Sequence, residues 1–222
     1  MRDSAMPDRD VRQPAGMQIT LVQVAKQFSR EKVFFGVDHV FEAGSRTAIL
    51  GPNGSGKSTL LQVVAGALIP TKGTIEHTFS GKPIDQEEVY RHVSIAAPYL
   101  GLYEDLSLGQ VIATHARFKP FRQGISLDDV ARTAYLEPHL EKPVLNFSSG
   151  MKQRLKLVLA ILSDTPLLLL DEPATNLDAE GIAWFRELLL QNLDGRTLLV
   201  ASNRQAEETF ACTASVEIGK WK

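Results

Sequence analysis

The chain has 222 residues, with 24 basic and 26 acidic side chains and a formal net charge of −2 at neutral pH. This nearly balanced charge excludes the strongly basic composition of a dedicated nucleic-acid-binding protein. The length favours one large domain, with room at most for a small insertion. The single cysteine, Cys212, excludes an internal disulfide and a clustered thiol metal site, and it fits a reducing compartment.

The N-terminal segment differs in composition from the rest of the chain. Residues 1–16 are polar, contain two prolines and lack the apolar stretch of a signal peptide, so they are predicted to form a disordered tail before a domain at 17–222. The most apolar windows, 155–162 and 167–170, are far shorter than the roughly 20 residues that a membrane-spanning helix requires. The sequence therefore predicts no membrane span.

The first half of the domain alternates strands, turns and one helix. Two alternating apolar patterns predict an antiparallel opening, and a short apolar run then precedes a glycine-rich loop and a helix. The predicted elements are strands at 18–24, 33–41 and 46–50, a helix at 58–68, a turn leading into a strand at 71–75, and a buried strand at 93–97. Pro98 stops the last of these strands.

The second half begins with a polar region that predicts a helical insertion. Helical segments at 99–145 are broken by proline and glycine, and the insertion is expected to extend to about residue 154. Ser148 and Ser149 are then predicted to cap a helix. The remaining predicted elements are helices at 152–162 and 182–193 and apolar strands at 167–170 and 197–201. Strands that alternate with helices predict an α/β fold with a mostly parallel sheet.

Residues 51–58 match the phosphate-binding pattern G-x-x-x-x-G-K-[ST] and lie between a predicted strand and a predicted helix. Glycines let successive backbone amides turn inward, where they and the helix N-terminus attract phosphate oxygens. Lys57 is expected to reach the β- and γ-phosphates of ATP, and Ser58 to bind Mg²⁺. The alternative is an ordinary glycine turn capped by a lysine. The candidate nucleotide-binding residues of this loop are Gly51, Pro52, Asn53, Gly54, Ser55, Gly56, Lys57, Ser58 and Thr59.

Two carboxylates follow the apolar strand predicted at 167–170. An open parallel sheet presents ligands at the C-terminal ends of its strands, so Asp171 is expected to hold magnesium through water. Glu172 is expected to be the general base that polarises the attacking water. Read alone, this pattern is also typical of a solvated strand end. Its place beside a phosphate-binding loop favours the interpretation as an ATPase.

From residue 17 to residue 215 the chain resembles the ABC transporter ATPase family. Residues 147–154 (FSSGMKQR) are similar to the signature loop of that family, and residues 176–178 (NLD) to its D-loop. The resemblance implies a P-loop NTPase core of the RecA-like type, with a mostly parallel sheet, an N-terminal antiparallel β subdomain and an inserted helical subdomain. It also implies that Phe28 stacks on adenine, with a core phenylalanine as the alternative.

The resemblance further implies a head-to-tail dimer that holds two ATP molecules between its subunits. The phosphate loop of one subunit would face Ser148 and Gly150 of the other, where a hydroxyl, a backbone amide and a helix N-terminus form an anion-seeking surface. A simple serine-capped helix start is the alternative. Whether the dimer pairs identical chains stays open.

By the same resemblance, the chain is expected to be a cytoplasmic subunit, peripheral on the inner face of the cell membrane, that powers transport through an integral membrane permease. No nucleic-acid partner is expected. The length is similar to that of short exporter-type subunits. The transported substrate, the direction of transport and the identity of the permease stay open.

Three positions depart from the family pattern. Pro98 replaces the glutamine that joins the core to the helical insertion, so one polar contact in the site is expected to be lost. Asn203 replaces the histidine after the last core strand. As a catalytic residue, Asn203 can donate a neutral hydrogen bond to the γ-phosphate, but a charged donor contributes roughly 1 kcal/mol more, which predicts hydrolysis slowed about fivefold to tenfold. Ser149 replaces a signature glycine, with no predicted sign.

Contacts with the membrane partner are expected at about 97–108. An apolar cluster lies there in a predicted loop, and an exposed patch would favour docking. Packing within the insertion is the alternative. The residues of this cluster are Tyr99, Leu100, Leu102 and Tyr103.

Two other classes of protein also contain such a phosphate loop and are alternatives to a transport motor. A non-transport ABC ATPase acting on DNA or the ribosome would typically carry a long coiled-coil insertion or a second such domain. A P-loop kinase of small molecules would leave residues 147–154 and 176–178 without a role. The sequence therefore favours the transport motor.

Overall fold

A computed structural model of the chain describes residues 16–193 and 195–222. The predicted tail at 1–16 lies outside the described residues, apart from Gly16. The described residues form two β-sheets and the helices that pack on them, which confirms the predicted α/β fold class.

The two sheets differ in strand direction. The strands are β1 (Met17–Phe28), β2 (Glu31–Phe41), β3 (Arg46–Leu50), β4 (Lys72–Phe79), β5 (Lys82–Ile84), β6 (Val93–Ala96), β7 (Leu167–Asp171), β8 (Thr197–Ser202) and β9 (Ala214–Glu217). The first sheet is antiparallel in the order β2-β1-β4-β5, and the second is parallel in the order β6-β7-β8-β3-β9. This arrangement confirms an N-terminal antiparallel sheet beside a parallel core.

Seven α-helices connect and cover the strands in the described part of the chain. They are α1 (Lys57–Val64), α2 (Val89–His92), α3 (Leu108–Phe118), α4 (Leu127–Thr133), α5 (Ser149–Leu162), α6 (Ala179–Gln191) and α7 (Ala206–Thr209). Short 3-10 turns occur at Glu137–His139, Val144–Asn146 and Ile218–Trp221. Among the described helices, none has the length and apolar character needed to cross a membrane.

The strand β7 is buried on both faces of the parallel sheet. Leu168 and Leu170 pack into a core shared with α5 and α6, whereas Leu167 and Leu169 pack into a second core shared with α1 and the antiparallel sheet. A strand covered on both faces needs apolar residues at every position, which explains the unbroken leucine run. The two cores together fix the C-terminal end of β7, where Asp171 lies.

Two helix boundaries differ from the predictions at functionally important places. Helix α1 ends at Val64 rather than at residue 68, since Gly66 adopts a φ of +71°, the left-handed conformation that follows many helix ends. Helix α5 begins at Ser149 rather than at residue 152. Ser149 therefore lies inside the helix, and Ser148 alone is the N-cap, accepting a hydrogen bond from the Met151 amide at 3.2 Å.

Helix α6 also starts earlier than predicted, at Ala179 rather than at residue 182. The Asp178 carboxylate caps it by accepting a hydrogen bond from the Gly181 amide at 2.8 Å. The sequence patterns missed β5, β9, α2 and α7. Each has only three or four residues, too few for apolar periodicity to be visible.

The regular elements between β6 and α5 are all helical. Helices α3 and α4 each begin with a capping box, formed by Ser107 with Gln110 and by Ser126 with Asp129. These reciprocal hydrogen bonds satisfy backbone amides that a helix start leaves unpaired. The bounds of the insertion at about 99–154 stay a prediction, and α5 continues past residue 154 without a break.

Candidate nucleotide-binding site

The loop between β3 and α1 is shaped by close contacts that admit only glycine at two positions. A Cβ atom on Gly51 would lie 2.6 Å from Ile218 Cγ2, and one on Gly56 would lie 2.5 Å from Val33 Cγ1. Gly56 also has a φ of +100° and Gly54 one of +73°, both in the left-handed region that disfavours other residues. The backbone therefore turns tightly just before the N-terminus of α1.

The Lys57 side chain folds back toward the start of this loop. Its ammonium donates to the Gly51 carbonyl at 2.9 Å and to the Pro52 carbonyl at 3.1 Å, and the residue is only 4% exposed. No carboxylate forms an ion pair with this ammonium among the described residues. Because a buried charge held by carbonyls alone is weakly compensated, the site favours an anionic ligand.

Asp171 lies at the end of β7, beside the same loop. It is 1% exposed, and neither carboxylate oxygen has a hydrogen bond of good geometry. Burial raises the pKa of Asp171, and Glu172 raises it further, while the nearby Ser58 hydroxyl and Lys57 ammonium oppose the shift. The Ser55 hydroxyl is likewise buried without a partner. Buried polar atoms are normally hydrogen-bonded. These unpaired oxygens are therefore suited to bind Mg²⁺, with its water ligands, and a phosphate group.

Glu172 has a strained backbone. Its φ is +46°, a conformation that is uncommon outside glycine, and it is held by two backbone hydrogen bonds. The Glu172 amide donates to the Ala201 carbonyl at 3.0 Å, and the Thr175 amide donates to the Glu172 carbonyl at 3.1 Å. Strain of this kind is often found where a side chain must be held in position for function.

Asn203 lies at the same edge of the parallel sheet. It directly follows β8, which pairs with β7 on one side and with β3 on the other, and its side chain is exposed. The parallel strands thus bring together the phosphate loop after β3, Asp171 and Glu172 at the end of β7, and Asn203 after β8. Ligands of open parallel sheets bind at this edge.

Phe28 lies at the tip of the β1–β2 hairpin rather than in a core. It is 46% exposed, so the alternative of a core phenylalanine is wrong. The Lys26 ammonium lies 4.9 Å from its ring centroid. The hairpin reaches the phosphate loop, because Val33 lies against Gly56. An exposed aromatic ring near that loop is available for stacking on a base.

Ser148 and Gly150 form a second surface at the N-terminus of α5. Together with Asn176 and Asp178 they line a depression of about 270 Å³ that includes no residue of the phosphate loop. Ser148 is exposed, and a Cβ atom on Gly150 would lie 3.2 Å from the Asn176 carbonyl oxygen. Within one chain, the phosphate loop and the signature segment therefore line separate surfaces.

The sequence reasoning missed Tyr99 as a polar group of the site. The β6 strand ends beside β7, with Ala96 opposite Leu170, and the segment then turns at Ala97, whose carbonyl accepts a hydrogen bond from the Leu100 amide at 3.2 Å. Burial and the Asp171 carboxylate raise the pKa of Tyr99, while the Gln62 side chain opposes the shift. Tyr99 directly follows Pro98 and is partly exposed, and its phenol is close enough to Asp171 for the two groups to interact electrostatically.

A groove lies between the end of β6 and the helices α3 and α5. Its volume is about 240 Å³, and we call it the inter-helix groove. Apolar residues line most of it, and among the described residues the charged groups in its lining are Lys119 and Lys156, with His115 beside them. Leu100 lines it, and Tyr99 and Tyr103, from the same apolar cluster, are exposed. Leu102 also lines the groove and packs on the core.

Comparisons with known proteins agree with this geometry. The model of the ABC transporter family matches residues 34–175. An uncharacterized ABC transporter ATP-binding protein of Bacillus subtilis, YybJ, is 27% identical over 202 residues, which cover 90% of this chain and 92% of that protein. The cytochrome c biogenesis ATP-binding export protein CcmA of Cupriavidus pinatubonensis is 33% identical over 185 residues, which cover 80% of each.

A solved structure leads to the same assignment. The ATP-binding subunit of an ABC transporter superposes with a TM-score of 0.75 at 26% identity, over 90% of this chain and 85% of that one. The family match spans the phosphate loop, the signature segment and the acidic strand end. The chain belongs to the ABC transporter family, as an ATP-binding subunit that hydrolyses ATP to power transport.

Proposed function

We propose that the chain works as a dimer that closes over two molecules of magnesium-bound ATP and drives a separate integral membrane permease from the inner face of the membrane. The observation that supports this proposal is the division of the site. The phosphate loop with Asp171 and the surface of Ser148 and Gly150 are separate in one chain, and each is incomplete for holding a triphosphate alone.

In this proposal, the phosphate loop and α1 bind the triphosphate of ATP. Backbone amides of the loop and the Lys57 ammonium contact the β- and γ-phosphates, and Phe28 stacks on adenine. The Ser58 hydroxyl and the Asp171 carboxylate would hold Mg²⁺, with Thr59 in the same helical turn. When bound, Mg²⁺ supplies positive charge that offsets the charge of the triphosphate.

Glu172 and Asn203 act on the γ-phosphate. Glu172 orients a water molecule and accepts its proton while the water oxygen bonds to the γ-phosphorus and the bond to the ADP oxygen breaks. Asn203 donates a neutral hydrogen bond to a γ-phosphate oxygen, and Lys57 stabilises the charge that develops there. The neutral donor makes this hydrolysis slow.

The second half of each site comes from the other subunit. Its Ser148 hydroxyl, its Gly150 amide and the N-terminus of its α5 contact the γ-phosphate that the first subunit holds. ATP binding therefore closes the dimer, and hydrolysis reopens it. The proposal covers a pair of identical chains as well as a pair of related ones.

The catalytic assignment is tested by steady-state phosphate release from the purified chain. We expect Glu172→Gln to lower turnover at least a hundredfold, because a general base contributes about that much or more. Asn203→His should raise turnover about fivefold to tenfold by restoring a charged donor. Unchanged turnover in Glu172→Gln would contradict the proposed mechanism.

Dimer closure has a test of its own. Glu172→Gln should bind ATP without hydrolysing it, and light scattering should then detect an ATP-dependent dimer. Adding Ser148→Ala should weaken that dimer, since one γ-phosphate contact is lost across the interface. The proposed arrangement would be contradicted by a dimer that forms equally well without ATP, or by one whose stability is unchanged in the Ser148→Ala variant.

The membrane partner is proposed to dock in the inter-helix groove. Lys119 and Lys156 are the charged residues of this mostly apolar surface, so a short apolar helix that carries a carboxylate would complement it. A photo-crosslinking residue at Leu100 should capture an integral membrane protein in cells that express the chain. The same residue at Ile69, which is 79% exposed on another surface, should not. Capture from both positions or from neither would contradict docking at this groove.

A further inference from the structure

Helix α7 carries a buried carboxylate that the mechanism above does not use. Its first turn contains two glutamates, and acidic residues in the first turn of a helix are normally solvated. Glu207 follows this rule and is exposed, but Glu208 is only 1% exposed. Burying a carboxylate is costly unless its position serves a purpose or it is paired. In the described part of the chain, no ion pair compensates Glu208.

The Glu208 carboxyl group is held by the last residue of β8. The Ser202 hydroxyl donates a hydrogen bond to Glu208 Oε2 at 2.5 Å, and the same hydroxyl accepts one from the Gln205 amide at 3.1 Å. Glu208 Oε1 is buried and has no hydrogen bond of good geometry.

The other side of the carboxyl group meets the turn that follows β7. Burial raises the pKa of Glu208, and the nearby carboxylates of Asp171 and Glu172 add to this, while the Ser202 hydroxyl and the Ala174 backbone amide oppose the shift. Ala174 is two residues after Glu172. The Glu208 carboxyl group is thus bonded to the last residue of β8 and is also close to the turn after β7.

These two turns carry the residues proposed to act on the γ-phosphate. The backbone ties the first turn to β8, through a hydrogen bond from the Glu172 amide to the Ala201 carbonyl at 3.0 Å, one residue before the second turn begins. Asn203 is exposed, and among the described contacts its side chain has no hydrogen bond that would fix it. Its position depends on the turn, which begins at Ser202. An anchor on Ser202 thus acts directly on Asn203.

We propose that Glu208 is a positioning residue for ATP hydrolysis, whose buried carboxyl group joins the two turns and so fixes Asn203 relative to Glu172. Small displacements of a group in a hydrolysis site reduce the rate strongly. The phosphate loop lies after β3 and does not depend on this contact, so nucleotide affinity should be spared. The proposal rests on the roles assigned above to Glu172 and Asn203.

The test compares four variants in steady-state phosphate release with magnesium and ATP. Glu208→Ala should lower kcat about tenfold, with the KM for ATP changed less than twofold, since one strong hydrogen bond is lost from the positioning contact. Glu208→Gln can still accept from Ser202, so it should stay within about threefold of the parent kcat. Ser202→Ala should resemble Glu208→Ala. The matched control is Glu207→Ala, which removes the exposed neighbour and should leave kcat unchanged.

Amide hydrogen exchange gives a second readout that does not need turnover. Glu208→Ala should speed exchange in both turns, at 172–175 and at 203–205, whereas Glu207→Ala should affect neither. Should Glu208→Ala fail to fold, Ser202→Ala removes the same hydrogen bond from the strand side and carries both measurements.

The outcomes separate this inference from the proposed function. If Glu172→Gln is inactive while Glu208→Ala and Ser202→Ala keep the parent kcat, only the role of Glu208 is overturned. An equal loss in Glu208→Gln and Glu208→Ala would also overturn it, because the hydrogen bond would then not be what matters. If Glu172→Gln itself turns over normally, the proposed mechanism fails first.

Discussion

Pro98 stands where the family resemblance predicts a glutamine, and Tyr99, the residue that follows it, carries a different polar group. The Tyr99 phenol has a raised pKa because it is partly buried and near the Asp171 carboxylate. A neutral hydroxyl at this place can donate a hydrogen bond to a carboxylate or to a metal-bound water. We therefore predict that the neighbouring side chain offsets part of the loss expected from Pro98.

Replacing Tyr99 by phenylalanine tests this role. We expect Tyr99→Phe to raise the Mg²⁺ concentration for half-maximal phosphate release about twofold to tenfold, since one neutral hydrogen bond is lost. Binding of ATP without Mg²⁺, measured by isothermal titration, should not change. Tyr103→Phe is the control, because Tyr103 lies in the same segment but is 66% exposed. Equal effects of the two substitutions would refute a specific role for Tyr99.

Single residues also show which features of the site the sequence could predict and which it could not. The phosphate loop could be identified from the sequence, because each residue type in it has a chemical role and the residues stand at a fixed spacing. The burial of Glu208 could not be predicted from the sequence, since two glutamates at a helix start form the same sequence pattern whether or not the sheet covers one of them. Phe28 is the opposite case, because an aromatic residue at the end of an apolar strand resembles a core residue but is exposed.

At the scale of elements, the phosphate loop depends on the antiparallel hairpin beside it. Val33 packs against Gly56, and the hairpin that contains Val33 also carries Phe28 at its tip. The part of the site proposed to hold adenine and the part proposed to hold phosphate are therefore set at a fixed distance. A side chain at Gly56 would disturb both.

Two glycine substitutions separate this contact from simple backbone strain. Gly56→Ala and Gly54→Ala both place a side chain at a positive φ, but only the Cβ atom at position 56 meets a neighbour, at 2.5 Å from Val33 Cγ1. We expect Gly56→Ala to weaken ATP binding about fivefold to a hundredfold more than Gly54→Ala, since overpacking costs about 1–3 kcal/mol. Fluorescence titration with a labelled nucleotide measures this difference. A partial recovery in Gly56→Ala with Val33→Ala is expected, and similar affinities of the two single variants would contradict the steric argument.

Helix α5 links two surfaces that the proposed function uses. Its N-terminal turn contains Gly150, on the surface proposed to meet the other subunit, and its later turns contribute Lys156 and Leu159 to the inter-helix groove. A helix of 14 residues is about 21 Å long and is stiff over that distance. A movement of Gly150 at the proposed dimer interface would therefore also move the part of α5 that lines the inter-helix groove, because no flexible segment separates the two.

Elements with long, regular apolar patterns could be predicted from the sequence. Elements that form only by pairing with a neighbouring strand could not. Strand β3 has the predicted bounds because an apolar run ends at an obligatory glycine. Strand β9 has no comparable pattern in its four residues, and it exists because β3 offers an open edge for pairing. The start of α5 was predicted three residues late, since Ser149 reads equally well as a cap and as a first helical residue.

At the scale of the whole molecule, the parallel sheet separates two apolar cores, and buried polar groups lie at their borders. His115, a half-buried residue of α3, faces the end of α5. Its ring stacks on Phe121 with centroids 5.5 Å apart, and its Nε2 atom is 2.9 Å from the Ser163 hydroxyl. Ser163 already donates to the Leu159 carbonyl at 2.6 Å, so His115 must donate to Ser163.

This packing makes the stability of the fold depend on pH. Burial, together with the nearby Lys119 ammonium, lowers the pKa of His115 from 6.5 to about 4, while the Leu159 backbone opposes the shift. Above pH 6.5 the histidine is neutral in both the folded and the unfolded chain, so it has no effect on pH dependence. Between pH 6.5 and about 4 the unfolded chain binds a proton that the folded chain does not, so stability falls as the pH falls, by at most about 1.4 kcal/mol per pH unit. Burial lowers the pKa of His77 as well, which adds a slope of the same sign.

His115→Gln should remove the part of this slope that belongs to His115. Glutamine keeps a donor for Ser163 and does not titrate, so the variant should lose less stability than the parent between pH 7.5 and pH 5.5. Urea unfolding at several pH values within this window measures the difference, and it avoids the lower range where carboxylates titrate. His77→Gln is the matched comparison and should remove a separate part of the slope. Parallel stability curves for the parent and His115→Gln would mean that the imidazole is protonated equally in the folded and unfolded chain, in conflict with its half-buried position on α3 against Phe121 and Ser163.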